Sequence, residues 1–489
     1  CEYAAGYYDK LPKAVEQLLQ QGGVIDQAQI EVVARAHKVC PFELSLDLAT
    51  WSDLIIGDYN YIFDPVVRLQ RFIAQPNMHL LVDEAHQLSP RVQSMLAVQV
   101  NSVEIRAAKT TKNKLMSKRV TSLERAIKKI AKGLDEGEHS VAQTDTLDRA
   151  VSKFLENYDH AEQLEDREED LERLYFACLR WAKGASWFEK KRFRYLVEVK
   201  DKNIQVRQVC LDSGHYAAQV MSEYASTVRF SATVSPLAVY QQLHGQVTKE
   251  ADFSERAKTP FSAAQTHVMI IKDIPTYLQQ RTQSLPKIGE LLDILTASKP
   301  GRYLLAMPSY AYLEQFRNEH IASSSKAEQA SKFLYQERGQ DTDAQQALMA
   351  SFCMHENVVM GVVLGGGLSE SVDFGEAKLN GVVIVGLGLP PPSLERNLMA
   401  EFFAGSENGE LGQTMAYNQP AMARVIQAAG RLIRSPEDRG VICLVDPRFE
   451  RREFQNFFPA YWQPRSMRLS EVKTSINSYW LHDMSARED

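Results

Sequence analysis

Residues 80–86 read Leu80-Leu81-Val82-Asp83-Glu84-Ala85-His86. A short apolar run ends on two adjacent carboxylates, which is how a buried parallel strand presents acidic groups at the carboxyl edge of an α/β sheet. The pattern suits nucleoside triphosphate hydrolysis: Asp83 would hold a phosphate-bound Mg²⁺, Glu84 would polarise the attacking water, and His86 stands beside them as a third candidate. A strand end with solvated carboxylates is the other reading of the same residues, and the rest of the chain has to decide between them.

Working outward, residues 51–83 alternate between apolar runs and polar breaks. Asp53–Tyr59 reads as a strand, Tyr61–Ile73 as a helix and His79–Val82 as the next strand, a βαβ rhythm that implies a parallel sheet. The chain returns to that sheet at Thr227–Phe230, followed by Ser231-Ala232-Thr233, whose hydroxyls can hydrogen-bond a neighbouring carboxylate. From about residue 251 a second α/β domain is expected. Its strands are Gly301–Ala306, Val358–Val363, Gly381–Val385 and Gly440–Val445, separated by helical patterns at Leu285–Leu295 and Asp343–Cys353.

Between Val103 and Phe193 the texture changes. A basic stretch (Lys109, Lys112, Lys114, Lys118, Arg119, Arg125, Lys128, Lys129, Lys132) precedes a strongly acidic one from Asp135 to Glu172, with apolar residues at helical spacing between the charges. This predicts an inserted helical subdomain with solvated helices; a basic face reaching a phosphate backbone is the sharper alternative. Phe193–Val199 and Ile204–Cys210 flank Asp201-Lys202-Asn203 as a hairpin.

Composition sets the bounds. The 489 residues carry 56 basic and 62 acidic side chains, a net charge of −6, so no global basic field announces a nucleic-acid partner and local patches must set any such contact. No apolar run reaches the roughly 18 residues of a membrane helix, and no secretory signal opens the chain. Six cysteines are too sparse for a disulfide framework, which fits a reducing, cytoplasmic setting. The chain opens on Cys1 in place of Met, and we expect it to be cut from something longer. Cys1 and Cys40, each followed by an aromatic two positions on, are either half of a metal or cluster site or inert small residues.

Three further segments carry chemistry. In Gln427-Ala428-Ala429-Gly430-Arg431-Leu432-Ile433-Arg434, a continuous helix would place Gln427, Arg431 and Arg434 on one face. A glutamine and two guanidiniums aimed together suit a transferred phosphoryl group; an arginine-rich surface helix is the alternative. Gly365-Gly366-Gly367-Leu368-Ser369-Glu370-Ser371-Val372-Asp373 follows a buried strand, and its glycines permit close backbone approach to a phosphate or nucleic acid, with Asp373 placed to accept from a ribose or an arginine. Pro308-Ser309-Tyr310 ends another strand, with Ser309 for a phosphate contact and Tyr310 for stacking or packing.

In this order the motifs resemble the iron–sulfur XPD/DinG family of superfamily 2 helicases. Asp83-Glu84-Ala85-His86 is similar to its Walker B motif, Ser231-Ala232-Thr233 with Pro236 to motif III, and residues 301–310 to motif IV. Residues 366–374 are similar to motif V, and Gln427–Arg434, followed by Asp446-Pro447-Arg448-Phe449, to motif VI. The resemblance implies two RecA-like parallel-sheet motor domains, the first incomplete (48–102 and 205–250) and the second at 251–489, an inserted helical Arch domain (103–204) and a partial iron–sulfur domain (1–47). It implies ATP and Mg²⁺ as cofactors and single-stranded or forked DNA as partner. Asp83, Glu84, His86, Gln427, Arg431 and Arg434 are then catalytic; Gly430, Asp373, Ser231 and Thr233 line the nucleotide; Ser309, Tyr310, Gly366, Gly367 and Ser369 lie on the DNA path.

Cys1 and Cys40 resemble the third and fourth ligands of the family's 4Fe–4S cluster. Two departures stand out: no Gly-Lys dipeptide occurs, so the Walker A lysine is missing, and Ser371 stands where the family usually has glycine. The expectation is therefore an ATP-dependent, 5′→3′ DNA helicase serving repair or replication, nucleoid-associated, and lacking its P-loop segment. The alternatives are a non-catalytic binding protein on a helicase scaffold, and a translocase on RNA or DNA that does not separate strands.

Overall fold

The computed structural model describes residues 2–69, 71, 77–161, 168–245, 253–324, 331–370, 377–405 and 411–485. Cys1, Ser371 and Asp373 lie outside the described residues, and of Ser369 only its place in the short helix Gly367–Glu370 is described. The chain divides into two compact units, residues 1–80 with 220–227 and residues 81–219 with 228–489.

In the first unit three helices, α1 (Tyr7–Gln21), α2 (Gln27–His37) and α3 (Pro41–Ala49), close around Leu18, Val33 and Leu44. Asp26 and Gln29 form a reciprocal capping box at the start of α2, and Pro41 supplies the fixed φ suited to the first turn of α3. The strand expected at Asp53–Tyr59 is not formed: residues 52–58 are irregular and exposed, with Ile56 88% accessible, and among the described residues no neighbouring backbone satisfies a ladder there. Of the helix expected at Tyr61–Ile73, residues 70, 72 and 73 lie outside the described residues; before them the chain forms the single turn Asn60–Phe63, ahead of Asp64, which accepts the backbone N–H groups of Val66 and Val67, and Arg71 is helical.

Strands β1 (His79–Val82), β2 (Val98–Asn101), β3 (Gly137–Val141), β4 (Phe193–Lys200), β5 (Asn203–Cys210) and β6 (Ser226–Arg229) make two sheets. β1 pairs with β6, and β2-β5-β4-β3 is antiparallel. One face of the antiparallel sheet is covered by α4 (Lys114–Ile130), α5 (Asp145–Ala161) and α6 (Glu169–Gly184), whose Val120, Leu123, Ile127, Phe154, Leu174 and Trp181 share a core with Val197 and Val206. The insertion is thus helical on one side only. β4 and β5 meet through a two-residue turn in which Asp201 and Lys202 both have positive φ, 49° and 64°.

The seven-stranded parallel sheet of the second unit has the order β13-β7-β12-β11-β8-β10-β9, where β7 is Thr266–Ile271, β8 Arg302–Met307, β9 Lys332–Tyr335, β10 Val358–Val363, β11 Gly381–Val385, β12 Gly440–Val445 and β13 Arg465–Met467. Its central strands are unbroken apolar runs because both faces are covered. Alternate residues serve two cores. Leu304, Met360, Val382 and Leu444 face α11 (Gln419–Gly430) and the helix Thr342–Met354, while Leu305, Val359, Val383 and Val445 face α7 (Arg281–Ser298), α8 (Tyr310–Ser324) and α12 (Leu469–Ser485). Here α9 denotes Thr342–Met354 and α10 denotes Leu394–Ala404, the latter packing Met399 and Phe403 on Leu196, Val209 and Leu211, from the other side of the antiparallel sheet. Arg207 of β5 bridges Glu138 of β3 at 2.8 Å and Glu395 of α10 at 3.0 Å, and Glu138 also accepts the Leu394 N–H at the start of α10.

The tight β4–β5 turn generates a test. Two positive-φ residues are the requirement of a type I′ turn, which favours Asp-Gly over Asp-Lys. Lys202→Gly is therefore expected to stabilise the protein by about 0.5–1 kcal/mol in urea unfolding; destabilisation would mean that the Lys202 side chain contributes more than its backbone strain costs.

Candidate functional site

Five of the predicted residues, Glu84, His86, Ser231, Thr233 and Gln427, converge where β1 ends. Val82 is buried, and the backbone then turns sharply. Glu84 takes a left-handed conformation (φ 47°, ψ 42°), its N–H donates to Asp83 Oδ1 at 2.7 Å, and the Gln87 N–H returns to Glu84 O at 2.8 Å. Such a conformation for a non-glycine residue costs on the order of 1–3 kcal/mol and persists where its surroundings over-determine it. The turn leaves the Glu84 side chain 62% exposed and drives His86 inward to 4%.

His86 is held from three sides. Its Nε2 lies 2.5 Å from Gln427 Nε2, its Nδ1 2.8 Å from Ser231 Oγ and 3.2 Å from Glu84 Oε2. If the Gln427 amide donates to Nε2, the imidazole is neutral and carries its proton on Nδ1. That proton goes to Ser231, whose own hydroxyl donates to Glu84 Oε2 at 3.2 Å. One directed chain therefore runs Gln427→His86→Ser231→Glu84. Burial holds the His86 pKa below the ordinary histidine value against the opposing pull of Glu84 and Asp83, consistent with a neutral ring. Thr233 joins from the other side, its N–H donating to Ser231 Oγ at 3.3 Å.

Residues that sequence reasoning missed carry this chain. The helix Leu237–Leu243, directly after Pro236, sends Tyr240 to accept from Gln419 Nε2 at 2.9 Å, and just beyond its end His244 Nε2 donates to Ala85 O at 2.9 Å. About two turns of helix thus tie the Asp-Glu-Ala-His loop to the first residue of α11, the helix bearing Gln427. Its far end is seated by glycines: a methyl group at Gly214 would lie 2.6 Å from Gly245 N and from Leu243 O. Tyr240 and His244 are ordinary residues in the sequence, and no local pattern marks them.

The common face proposed for Gln427, Arg431 and Arg434 is corrected. α11 ends at Gly430, Arg431 is its C-cap, and Arg434 sits in the following turn, where Asp438 Oδ2 accepts the Arg434 and Ser435 N–H groups at 2.9 and 2.8 Å. A helix cannot continue while its next amides are bonded to a side chain three and four residues on, so Arg434 leaves the axis. Arg424, one turn before Gln427, is an arginine that was not singled out. It lies against Gly365 (φ +79°), where a Cβ would be 2.8 Å from its Nε.

A second constellation occupies the carboxyl ends of β7, β8, β11 and β12. A hollow of about 490 Å³ there is lined by Tyr277, Arg281, Pro308, Asn397, Tyr417 and Arg448, among others. Beneath it Asp446 is wholly buried. It accepts from Arg448 Nε at 2.9 Å and Nη2 at 2.7 Å, and from Thr276. The Arg448 guanidinium lies over the Tyr277 ring at 4.5 Å, and that of Arg281 over Tyr312 at 4.8 Å. Ser309 is used locally: its Oγ accepts the Tyr312 N–H at 3.3 Å as the cap of α8. Tyr310 packs on the sheet core, with Arg338 over its ring at 5.9 Å, while Gly366 closes a turn onto Val363 O at 3.0 Å and Gly367 opens the next short helix. Cys40 caps α3, part-buried beside the Leu44 core, and among the described residues no group of three or more His, Cys, Asp or Glu is placed to hold a metal ion.

A helicase C-terminal domain family model matches residues 292–465, and the DEAD_2 family model matches residues 1–105. Similar proteins include a regulator of telomere elongation helicase 1 homolog of Anopheles gambiae, 22% identical over 87% of this chain and 53% of that protein. Another is the ATP-dependent DNA helicase chl1 of Aspergillus clavatus, 22% identical over 56% and 42%. The chain spans about half the length of the relatives it matches. Among solved structures, one titled XPD_Helicase superposes with a TM-score of 0.60 at 18% identity, covering 96% of this chain and 84% of that one. S. tokodaii Xpd4 gives 0.57 at 14%, covering 94% and 100%. The shared fold is a RecA-like parallel sheet.

The buried histidines set an acid limit. Burial lowers the His244 pKa from 6.5 to about 4, so the unfolded chain binds the extra proton first. The stabilisation is complete above the unfolded value and is lost as pH falls through 6.5 toward 4. His244→Gln, which keeps a donor for Ala85 O, should flatten the fall in unfolding free energy over that window; an unaltered slope would place the acid sensitivity elsewhere.

Proposed function

We propose that the chain is one of the XPD/DinG-like helicases of superfamily 2 and that it couples ATP hydrolysis to movement along single-stranded DNA, in the 5′→3′ direction its resemblance implies. The observation that carries this is the chain Gln427→His86→Ser231→Glu84. It links the carboxylate suited to activating water with the residue suited to sensing a phosphoryl group, through a neutral histidine with no slack in its hydrogen bonds.

ATP with Mg²⁺ fits the donor set. Asp83 and Glu84 are adjacent at a strand end, Glu84 is open to solvent, and Mg²⁺ on a nucleotide needs only one or two protein carboxylates because phosphates and water fill the remaining positions. When bound, the cation supplies charge neutralisation at the phosphates. Asp83 would hold it, Glu84 would accept the proton of the attacking water, and Ser231 and Thr233 would pass changes at Glu84 to His86 and Gln427. Arg431 and Arg434 would reach the phosphates only if the turn held by Asp438 carries them there. Gly430 and Asp373 keep the roles proposed for them at the nucleotide.

No Gly-Lys dipeptide occurs in the 489 residues, so the lysine that would cradle the β- and γ-phosphates is not supplied by them. We expect these residues alone to hydrolyse ATP slowly. A 4Fe–4S cluster needs four ligands, usually thiolates. Cys40 and Cys1 offer two, so the residues present do not fit a complete cluster.

The hollow beside Pro308 is the better-built candidate for the DNA path. Arg281 supplies positive charge, the exposed Tyr277 supplies stacking surface, and Ser309, Tyr310, Gly366, Gly367 and Ser369 border the same sheet edge. The protein would act where DNA is held, in nucleoid or nucleus, in repair or replication.

In the full-length gene product, Glu84→Gln is expected to lower DNA-stimulated ATP hydrolysis by about 10²–10⁴-fold while leaving DNA affinity intact; hydrolysis sustained in that variant overturns the assignment. Binding of the present chain to single-stranded DNA and RNA of one sequence provides a second check. Binding to RNA alone would replace the DNA reading, and DNA binding without hydrolysis by the full-length product would favour a binding scaffold.

A further inference from the structure

The inserted helix α4 carries a row of cations that the nucleotide and strand sites do not use. Its sequence, Lys114 to Ile130, places Met116, Val120, Leu123, Ala126 and Ile127 in the core of the insertion. The face turned away from them holds Lys114, Lys118, Arg125 and Lys129, all exposed, at intervals of four, seven and four residues. At 3.6 residues per turn those four fall within roughly 60° of one another, in a straight row about 22 Å long.

The row is not neutralised. Glu124 is the one carboxylate of the helix and is already engaged, accepting from Lys109 and from Lys128 at 2.9 Å, a pairing that holds its pKa low. Among the described residues no carboxylate pairs with Lys114, Lys118, Arg125 or Lys129. The chain as a whole carries −6, so the row is a local feature and not part of a general positive field.

We propose that this face of α4 binds the phosphate backbone of duplex DNA. The class follows from what the row contains and lacks. A single-strand site interleaves cations with aromatic rings that stack on the bases, whereas residues 114–130 contain no aromatic side chain. Cations alone, on a helix fixed by its buried face, suit a partner whose bases are turned inward. A row of about 22 Å matches about six phosphate steps along one strand of a duplex. The inference rests on the nucleic-acid reading above but concerns a different surface and a different form of DNA.

The test compares the chain with its Lys118→Glu/Arg125→Glu/Lys129→Glu variant, all surface positions. Fluorescence anisotropy reads affinity for a blunt duplex of about 30 base pairs and for one of its strands, between about 50 and 200 mM salt. Expected is a duplex affinity at least tenfold weaker at low salt, a slope of log K against log salt shallower by about 2 to 3, and single-strand affinity unchanged. Arg149→Glu/Lys153→Glu on the neighbouring α5 should leave the duplex slope alone. An unchanged duplex slope in the α4 variant, with single-strand binding intact, overturns the α4 assignment and leaves the strand path standing. Equal loss for duplex and single strand overturns the assignment to duplex. A parent chain that binds neither overturns both.

Discussion

The imidazole of His86 is the contact on which the site depends. A buried polar ring must have both nitrogens satisfied, because leaving one unmade costs on the order of 1–3 kcal/mol. Its two partners come from distant parts of the chain, Ser231 some 145 residues away and Gln427 a further 196 beyond that. Satisfying one side chain therefore fixes the relative position of the acidic loop, the Ser-Ala-Thr segment and the helix α11. The strained backbone at Glu84 is intelligible in the same terms: without the left-handed turn, the carboxylate could not face solvent while the histidine two residues on faces the interior.

Around that contact the molecule is built in two textures. The seven-stranded sheet is uniform and apolar, with alternate residues committed to opposite cores, and its carboxyl edge carries a buried charged group, the Asp446–Arg448–Thr276 cluster. Pairing Asp446 bidentately keeps a fully buried carboxylate tolerable and points the Arg448 guanidinium at a tyrosine face. The insertion is amphipathic instead, with an antiparallel sheet between helices on one side and α10 on the other, pinned by the Arg207 bridges to Glu138 and Glu395.

Much of this was legible in the sequence, for physical reasons. Central parallel strands have nowhere to place polar groups, so Val358–Val363, Gly381–Val385 and Gly440–Val445 announce themselves, and the Asp83-Glu84 pair follows from its apolar lead-in. What failed is equally specific. Asp53–Tyr59 has the composition of a strand, but a strand needs a neighbour, and none borders it among the described residues. Arg434 keeps helical spacing on paper, yet Asp438 competes for the amides the helix would need. Strands β7, β9 and β13 were overlooked, the first hidden by the polar residues around it and the other two because three or four residues carry too little pattern. Tyr240 and His244 matter through single bonds to partners about 160 to 180 residues away, which no local window contains.

The meeting of Gly214 with Gly245 gives the site a vulnerability that its chemistry would not reveal. Neither glycine touches the acidic loop, but together they let the helix end after Leu243 close onto the segment beginning at Ser213, and so set the height at which Tyr240 and His244 are presented. Any side chain at either position must lift that helix by the width of a methyl group. The lift would be felt as mis-set hydrogen bonds at Ala85 and Gln419. Inherited loss of function in such a protein need not map to carboxylates and arginines: two residues with no side chain are as indispensable to the spacing of the machinery as those that do the chemistry.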